Sequence, residues 1–457
     1  MTVRERILII GNGFDLAHFL PTKYEHFIHT MKMVEEAPSD TSLSFDYLYK
    51  DLLDNEDFIL TKCKVLYKTE DLEITAEQVD SLKEKLTGNH WFRFFKSQID
   101  SGIDTWIDFE NEVKDTLNSV CNLLDEIEGE PQYFRVTEDR KEASIESKLI
   151  REKMFRKYPA ISKILWQFNI IEEKQFVRER LTLNREFVKY YHNQAVYLDT
   201  NKIFLNLTKH WNDFIEIFSI YIEYINTFKP RKKLALPKVL SKDECTIYSF
   251  NYSSTVERLY NHANTQFLHG KTGYKNTIVL GISALENKIL VEEKVYGFVK
   301  YYQKLVNSTD YQFLRGNPDI TDLEKEKIED GVRGENEIIE IYLWGHSLDS
   351  SDSDYIEEIF GFNQGSKPSI NVIVYYFGSP HAQLANLISI MGRDIIEKWM
   401  KEGWLEFVES PDIYRLNTDK DYKDKLSKKS EKKPQKFFGQ ENDKSRPSRI
   451  LCNCHLD

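Results

Sequence analysis

This 457-residue sequence has few cysteines and few long apolar runs, and its acidic residues outnumber its basic residues. The five cysteines are odd in number and mostly far apart, which argues against a disulfide framework and favours a reducing cytoplasm. The apolar run within the N-terminal MTVRERILII is too short for a secretory signal. The most apolar long stretch, 203–228, contains four charged residues, so it predicts a buried helix rather than a membrane span.

The charge balance bears on the class of partner. A formal net charge of -12 opposes the phosphate backbone, so we expect no polynucleotide partner, although backbone amides can still bind a small anion. Only the end of the chain is basic, with eleven Lys or Arg against five Asp or Glu between Lys420 and Arg449. We interpret 418–457 as a flexible tail. Cys452, Cys454 and His455 form a single cluster without a second pair, so no metal site is predicted.

Two kinds of residue pattern predict the fold. Short runs rich in β-branched and aromatic residues predict strands, several of them without polar alternation, as in parallel strands buried on both faces. These runs are 6–10, 245–250, 277–280, 338–344 and 370–377. Between the first two runs, apolar residues recur at helical spacing, and Thr75 with Gln78 predicts a capping box. The prediction is an α/β protein, with a Rossmann-type parallel sheet interrupted by a large all-helical insertion.

The predicted organisation has four parts. The first βα unit with its glycine loop occupies 1–40, and the helical insertion occupies 41–235. The remainder of the α/β domain occupies 236–417, ahead of the basic tail.

The first strand leads directly into Gly11, Asn12 and Gly13. Closely spaced glycines between a strand and a helix let backbone N–H groups approach a diphosphate, and we expect a side chain at Gly13 to hold the phosphates away. The dinucleotide fingerprint of Rossmann dehydrogenases does not fit, because Leu16 stands at its third glycine position. A different kind of nucleotide site is therefore expected.

The fuller loop resembles two known patterns. With Gly11, Gly13, Leu20 and Pro21 in register, it is similar to the phosphate-binding loop of sirtuins. The longer form IGNGFDLAH, followed by LPT and a tyrosine, resembles the opening motif of the AbiH family of anti-phage abortive-infection proteins. Three later segments resemble sirtuin blocks in the same order: Asn251 after a strand, the Leu268-His269-Gly270 triplet, and Gly345-His346-Ser347-Leu348.

This resemblance implies a sirtuin-like fold that binds NAD and cleaves it without a metal ion. Asn251 and His269 are then the catalytic pair: the amide orients ribose hydroxyls or water, and the imidazole takes a proton from water or from a ribose hydroxyl. The implied NAD-binding residues are Gly11, Asn12, Gly13, Phe14, Asp15, Pro21, Gly345, His346 and Ser347.

Several positions depart from the sirtuin pattern. The aspartate two residues after the asparagine is Ser253 here, and Asp15 stands where a serine is usual, so Asp15 can replace the lost carboxylate. Sirtuins build a zinc module from two Cys-x-x-Cys pairs, which this sequence lacks, so protein deacetylation is not expected. A Trp106-x-Asp108-x-Glu110 element also resembles AbiH proteins, and we interpret it as core plus solvated edge. Asp352 and Asp354 are interpreted as helix caps.

Three functions follow as hypotheses. The first is an NAD glycohydrolase effector that depletes the cofactor of an infected cell. The second is a non-hydrolytic nucleotide-binding sensor or interaction module, and the third is a nuclease or other nucleotide-processing effector. A phage-derived trigger and a homo-oligomer are the expected partners besides NAD. Because continuous cleavage of NAD would kill the host, an inactive resting state is expected.

Overall fold

The computed structural model describes most of the chain outside the basic tail. The described residues are 2–98, 106–128, 134–136, 143–145, 164–170, 181–182, 184–190, 196–235, 245–260, 265–273, 277–309, 313–329, 337–363 and 370–423. The sequence at 424–457, with its cysteine and histidine cluster, lies outside them.

The strands are β1 (Thr2–Ile10), β2 (Leu43–Ser44), β3 (Glu73–Ile74), β4 (Phe134–Val136), β5 (Ala143–Ile145), β6 (Leu181–Thr182), β7 (Val188–Tyr190), β8 (Val196–Leu198), β9 (Cys245–Ser249), β10 (Thr265–Phe267), β11 (Glu337–Trp344), β12 (Ile370–Tyr376) and β13 (Leu405–Glu409).

The α-helices are α1 (Asn12–Ala17), α2 (Tyr24–Glu36), α3 (Phe45–Leu48), α4 (Lys50–Asp54), α5 (Phe58–Leu66), α6 (Ala76–Gly88), α7 (His90–Lys96), α8 (Trp106–Glu128), α9 (Thr200–Asn226), α10 (Thr255–Tyr260), α11 (Lys288–Glu292), α12 (Lys300–Asn307), α13 (Pro318–Glu329), α14 (Ser353–Gly361), α15 (His381–Met391), α16 (Arg393–Glu402) and α17 (Ile413–Thr418).

A six-stranded parallel sheet forms the frame, in the order β10-β9-β1-β11-β12-β13. The central strand β1 pairs with β9 on one side and β11 on the other, so the long insertion separates strands that are neighbours in space. From Ile7 to Ile10 the strand is at most 1% exposed, as expected for a parallel strand covered on both faces. The predicted parallel sheet is confirmed.

Alternate residues of β1 point to two different cores. Ile7 and Ile9 pack with apolar side chains of α14, α15 and α16. Leu8 and Ile10 pack on the opposite face, with side chains from α1, α10 and α17. This period of two, with apolar residues at every position, explains why the strand shows no polar alternation in sequence.

A separate aromatic core holds the helical part together. The stripe of α8 that begins at Trp106 packs against α9, where Trp211, Phe214 and Phe218 are buried. The Trp91 indole of α7 donates a hydrogen bond to the Leu207 carbonyl of α9, with a length of 3.0 Å. The predicted helix across 203–228 and the capping box at Thr75 are both confirmed. In the described ranges, no helix combines the length and apolarity that crossing a bilayer requires.

Two fold predictions are wrong in detail. The insertion is not all-helical, because antiparallel pairings join β2 with β3, β5 with β4 and β6, and β7 with β8. The run 277–280 is buried from Ile278 onwards but forms no sheet strand. Its Val279 N–H donates to the His269 carbonyl (2.9 Å) and its Leu280 N–H to the Gln303 side chain (3.0 Å), so these backbone groups are satisfied outside the sheet.

The aromatic core gives a stability prediction. We expect Trp91→Ala to cost about 3–5 kcal/mol, because it leaves a cavity among packed rings and removes the hydrogen bond between α7 and α9. Trp166→Ala is the matched control, since that indole is 42% exposed. Thermal and urea denaturation would measure both. Equal losses in the free energy of unfolding of the two variants would contradict the claim that Trp91 stabilises the fold through packing in the aromatic core.

Candidate functional site

The loops that follow five parallel strands meet at one edge of the sheet. Because β9 lies on one side of β1 and β11 on the other, the strand order changes direction at β1. In open α/β sheets, the crevice at such a switch point commonly binds a ligand. A cavity of about 410 Å³ lies at this edge. It is lined by Gly11, Asn12, Gly13, Asp15, Thr22, Trp106, Glu110, Phe218, Ile222, Phe250, Asn251, Tyr252, Ser253, His269, Leu280, Lys300, Gly345, His346, Ser347, Ser351, Asp352, Phe377, Ser379 and Gln383.

The glycines of this edge are needed for contact between two loops. The Gly11 N–H donates to the Trp344 carbonyl (3.0 Å) and the Gly13 N–H to the Gly345 carbonyl (2.8 Å). A Cβ on Gly13 would lie 2.7 Å from the Gly345 Cα atom. The expectation that a side chain at Gly13 would act by displacing phosphates therefore needs correction, because it would first separate the loops after β1 and β11.

Asp15 and Ser253 meet beneath the cavity. The Ser253 hydroxyl donates to the Asp15 carboxylate at 2.5 Å and lies 2.8 Å from the Thr255 hydroxyl. Burial raises the pKa of Asp15 to about 6, against the opposing effects of these hydroxyls and of Arg258. The two departures from the sirtuin pattern are thus direct neighbours, with the carboxylate supplied by the first loop and the hydroxyl by the second.

Asn251 directs a buried amide towards the cavity. The residue is 4% exposed, and within the described structure neither its Oδ1 nor its Nδ2 reaches a partner at full hydrogen-bond geometry, although the amide is close enough to the Asp15 carboxylate to lower the pKa of that group. Its backbone is fixed, since its N–H donates to the Ser249 hydroxyl at the end of β9. A buried amide whose hydrogen bonds are incomplete costs free energy, about 1–3 kcal/mol for each unsatisfied group, unless a ligand or water pairs with it. The site is therefore arranged for a polar ligand.

A buried carboxylate lies between two histidines. Asp352 Oδ1 is 3.2 Å from His269 Nε2, and Asp352 Oδ2 is 3.5 Å from His346 Nε2. The Leu348 N–H donates to His346 Nδ1 (2.9 Å), so Nδ1 is an acceptor and the ring N–H is on Nε2, which faces Asp352. Burial lowers the pKa of His269 to about 4, although Asp352 opposes this shift, so His269 is neutral at pH 7.

Lys300 and Glu110 extend this charged cluster into the helical part. The Lys300 ammonium lies 2.7 Å from Glu110 Oε1 and 3.8 Å from Asp352 Oδ1. Burial alone would lower the pKa of Lys300, but the two carboxylates outweigh it and raise that pKa. Burial likewise opposes ionisation of Asp352, yet Lys300, with the two histidines, holds its pKa well below the usual range. Asp352 is therefore a fixed negative charge.

The structure brings together nine of the eleven predicted site residues as lining of the cavity. The other two lie behind it. Phe14 is fully buried and packs edge-on against Trp344, with ring centroids 5.0 Å apart. The carbonyl of Pro21 accepts a hydrogen bond from the Tyr221 hydroxyl. Both residues support the loop without lining the cavity.

Three charged residues of the site were missed or misread from sequence. The side chain of Asp352 caps no helix and faces the cavity instead, while Asp354 is exposed. Glu110 is largely buried, with 14% of its side chain exposed, and follows Trp106 by one helical turn, so both line the cavity from one face of α8. That spacing was the available signal for Glu110. For Lys300 the sequence offers none.

Comparison with known proteins identifies the family. Residues 7–376 match the family model described as "Bacteriophage abortive infection AbiH". The matched region begins within β1 and ends with β12, and it is well over half of the chain. The chain belongs to the AbiH family. The AbiH resemblance of the first loop is thereby confirmed, and the protein is an anti-phage abortive-infection protein.

Two other comparisons returned nothing for this AbiH protein, since no curated protein and no solved structure matches the chain. In the part of the chain that the structure describes, no three or more His, Cys, Asp or Glu side chains are grouped to hold a metal ion.

The contact between the two loops can be tested in this AbiH protein without a ligand. Gly345 has a φ of +73°, and an added Cβ would lie 2.1 Å from the Phe14 nitrogen. We expect Gly345→Ala to destabilise the fold by at least about 1–3 kcal/mol from the backbone conformation alone. Gly361→Ala is the control, because a Cβ there meets nothing within 4 Å. If the two variants unfolded at the same temperature, the proposed loop contact would be wrong.

Proposed function

We propose that this AbiH protein binds NAD in the cavity and hydrolyses the bond between nicotinamide and ribose, which depletes NAD in an infected cell. The observation that carries the proposal is one cavity at the strand-end edge of a parallel sheet, lined by both the largely buried amide of Asn251 and the neutral imidazole of His269. The sirtuin-like order of the loops that hold these residues supports NAD as the ligand.

Asn251 has the chemistry that a ribose requires. Its amide offers two N–H donors and a carbonyl acceptor, and its interaction with Asp15 leaves hydrogen-bonding capacity for a ligand. A vicinal diol both donates and accepts hydrogen bonds, so a ribose or its attacking water would satisfy the whole group. Because the amide is already held in place by its buried backbone, little reorganisation accompanies binding.

His269 suits the accompanying proton transfer. His269 Nε2 lies 3.2 Å from Asp352 Oδ1, so the neutral tautomer with its proton on Nε2 is favoured by that carboxylate and has Nδ1 as the acceptor. Asp352 then orients the ring and stabilises the imidazolium, as carboxylates do in other histidine bases. A pKa of about 4 makes His269 a weak base, which is sufficient for a reaction whose ribose becomes strongly electrophilic.

The hydrolysis balances without an added reagent. The bond between the anomeric carbon and the nicotinamide nitrogen breaks, and its electron pair neutralises the pyridinium as nicotinamide leaves. A water oxygen forms the new bond to the anomeric carbon. The water gives up one proton, which passes through the site to solvent. The protein must therefore position the reactants and stabilise charge rather than protonate the leaving group.

The diphosphate would meet polar groups rather than an arginine or lysine clamp. Lys300 is the only lysine or arginine among the described residues that line the cavity, and it is already paired with Glu110 and Asp352. Asn12, Ser347 and Ser379 line the same cavity and can donate hydrogen bonds to phosphate oxygens. The exposed Phe377 ring at the mouth can stack on a base.

The proposal predicts loss of NAD cleavage in Asn251→Ala and His269→Ala. Each variant should release nicotinamide at least about 100-fold more slowly than wild type, because orientation and proton transfer each contribute that much to such reactions. Protein purified from phage-infected and uninfected cells would be incubated with NAD, and nicotinamide quantified by chromatography. His381→Ala, which alters an exposed histidine outside the cavity, is the matched control.

The alternatives give different outcomes in the same assay. NAD that binds, as measured by calorimetry, but stays intact with protein from infected cells would indicate a non-hydrolytic sensor. If NAD neither bound nor reacted while nucleic acid was degraded, the protein would be a nuclease. Cleavage that persisted in either site variant would remove the role assigned to that residue.

A further inference from the structure

One buried ammonium is shared by two carboxylates from different parts of the chain. Lys300 begins α12, Glu110 belongs to α8 in the helical insertion, and Asp352 follows β11 of the sheet. The three side chains are 6%, 14% and 11% exposed, so water screens their charges weakly. A single positive charge cannot neutralise two largely buried negative charges. Ionisation of one of the two carboxyl groups is therefore unfavourable.

The surroundings decide which carboxyl that is. Asp352 has His269 and His346 as further neighbours, and it stays ionised. Glu110 has no such support. Burial, together with the negative charges of Asp352 and Asp349, raises the pKa of Glu110 to about 7, although Lys300 opposes the shift. Two neighbouring carboxyls whose pKa values are driven apart are the arrangement by which enzymes separate a fixed charge from an acid–base group.

Glu110 also has an atom available for a ligand. Its Oε1 contacts Lys300, whereas its buried Oε2 has no hydrogen-bond partner in the described part of the chain. The residue lines the same cavity as Asn251 and His269. Tyr252 lies on the loop that carries Asn251. Burial raises its pKa, and the negative charges of Glu110 and Asp352 raise that pKa further. The unpartnered oxygen thus belongs to the proposed reaction site.

We propose that Glu110 is a second catalytic residue, whose Oε2 accepts the proton of the attacking water, so that the helical insertion completes the active site. The inference rests on the proposed NAD hydrolysis. As the water oxygen bonds to the anomeric carbon and nicotinamide departs with the electron pair of the broken bond, the released proton passes to Glu110 and then to solvent. His269 then serves the ribose: its Nδ1 takes the proton of a ribose hydroxyl as positive charge develops on the ribose ring, and returns that proton when the new bond has formed.

A base is most effective when its pKa lies near the working pH, and this favours Glu110 over His269 for the water. The groups that face Glu110 are Lys300 from α12, Asp349 and Asp352 from the loop after β11, and Tyr252 from the loop after β9. In the wild type, kcat/KM should therefore rise with pH through an inflection near 7, as Glu110 loses its proton.

The test compares Glu110→Gln with wild type in the full-length protein from infected cells. Glutamine keeps the shape and can still contact Lys300, but it cannot accept the proton. We expect kcat to fall at least about 100-fold, with KM and the calorimetric NAD affinity changed less than threefold, and the inflection near pH 7 to disappear. Asp115→Asn is the control, because it removes an exposed carboxylate from the same helix.

The outcomes separate the two claims. Glu110→Gln with wild-type kcat and an unchanged pH profile would overturn the role of Glu110 while leaving NAD hydrolysis intact. Lost NAD affinity at unchanged kcat would make Glu110 a binding residue and would also overturn its catalytic role. If wild-type protein left NAD intact, the proposed function would fail first, and the catalytic role with it. Circular dichroism and melting temperature would verify that each variant folds.

Discussion

The site depends on a backbone contact that permits no side chain. Gly11 and Gly13 after β1 touch Gly345 after β11, and two hydrogen bonds hold these loops together. This contact lies where the strand order changes direction, at the edge of the sheet where the loops that carry Asn251, His269 and Asp352 line one cavity. Packing between the two backbones requires glycine there, whatever ligand the neighbouring cavity accepts.

The cavity is formed where two structural layers meet. The sheet supplies an amide, two histidines and a fixed carboxylate from its strand ends, while α8 and α12 supply Glu110 and Lys300. The ion pair of Lys300 with Asp352 (3.8 Å) is one of the polar links between these layers, beside the hydrogen bond from the Trp106 indole to the Thr22 carbonyl. A small shift of the insertion would therefore alter the charges around Asp352. Such a shift is a physical route to the inactive resting state that the proposed activity requires.

The sequence predicted the strands and site residues whose signal is local. Continuous apolar runs identified β1, β9, β11 and β12, which are interior strands, whereas the edge strands β10 and β13 are short and carry polar residues. Residues directly after strands, such as Asn251 and His269, could be placed at one edge because parallel strands end together. Lys300, Glu110 and Asp352 could not, because their chemistry arises from pairing between residues distant in sequence and from burial that no local pattern records.

The proposed hydrolysis predicts that NAD is consumed in an infected cell that this AbiH protein protects. The direct measurement is a time course of cellular NAD and nicotinamide during phage infection, in cells with the wild-type protein and with His269→Ala at equal abundance. We predict normal NAD before infection, a fall with matching release of nicotinamide during the protective response, and no fall in the variant. Unchanged NAD in protected, infected wild-type cells would contradict the account.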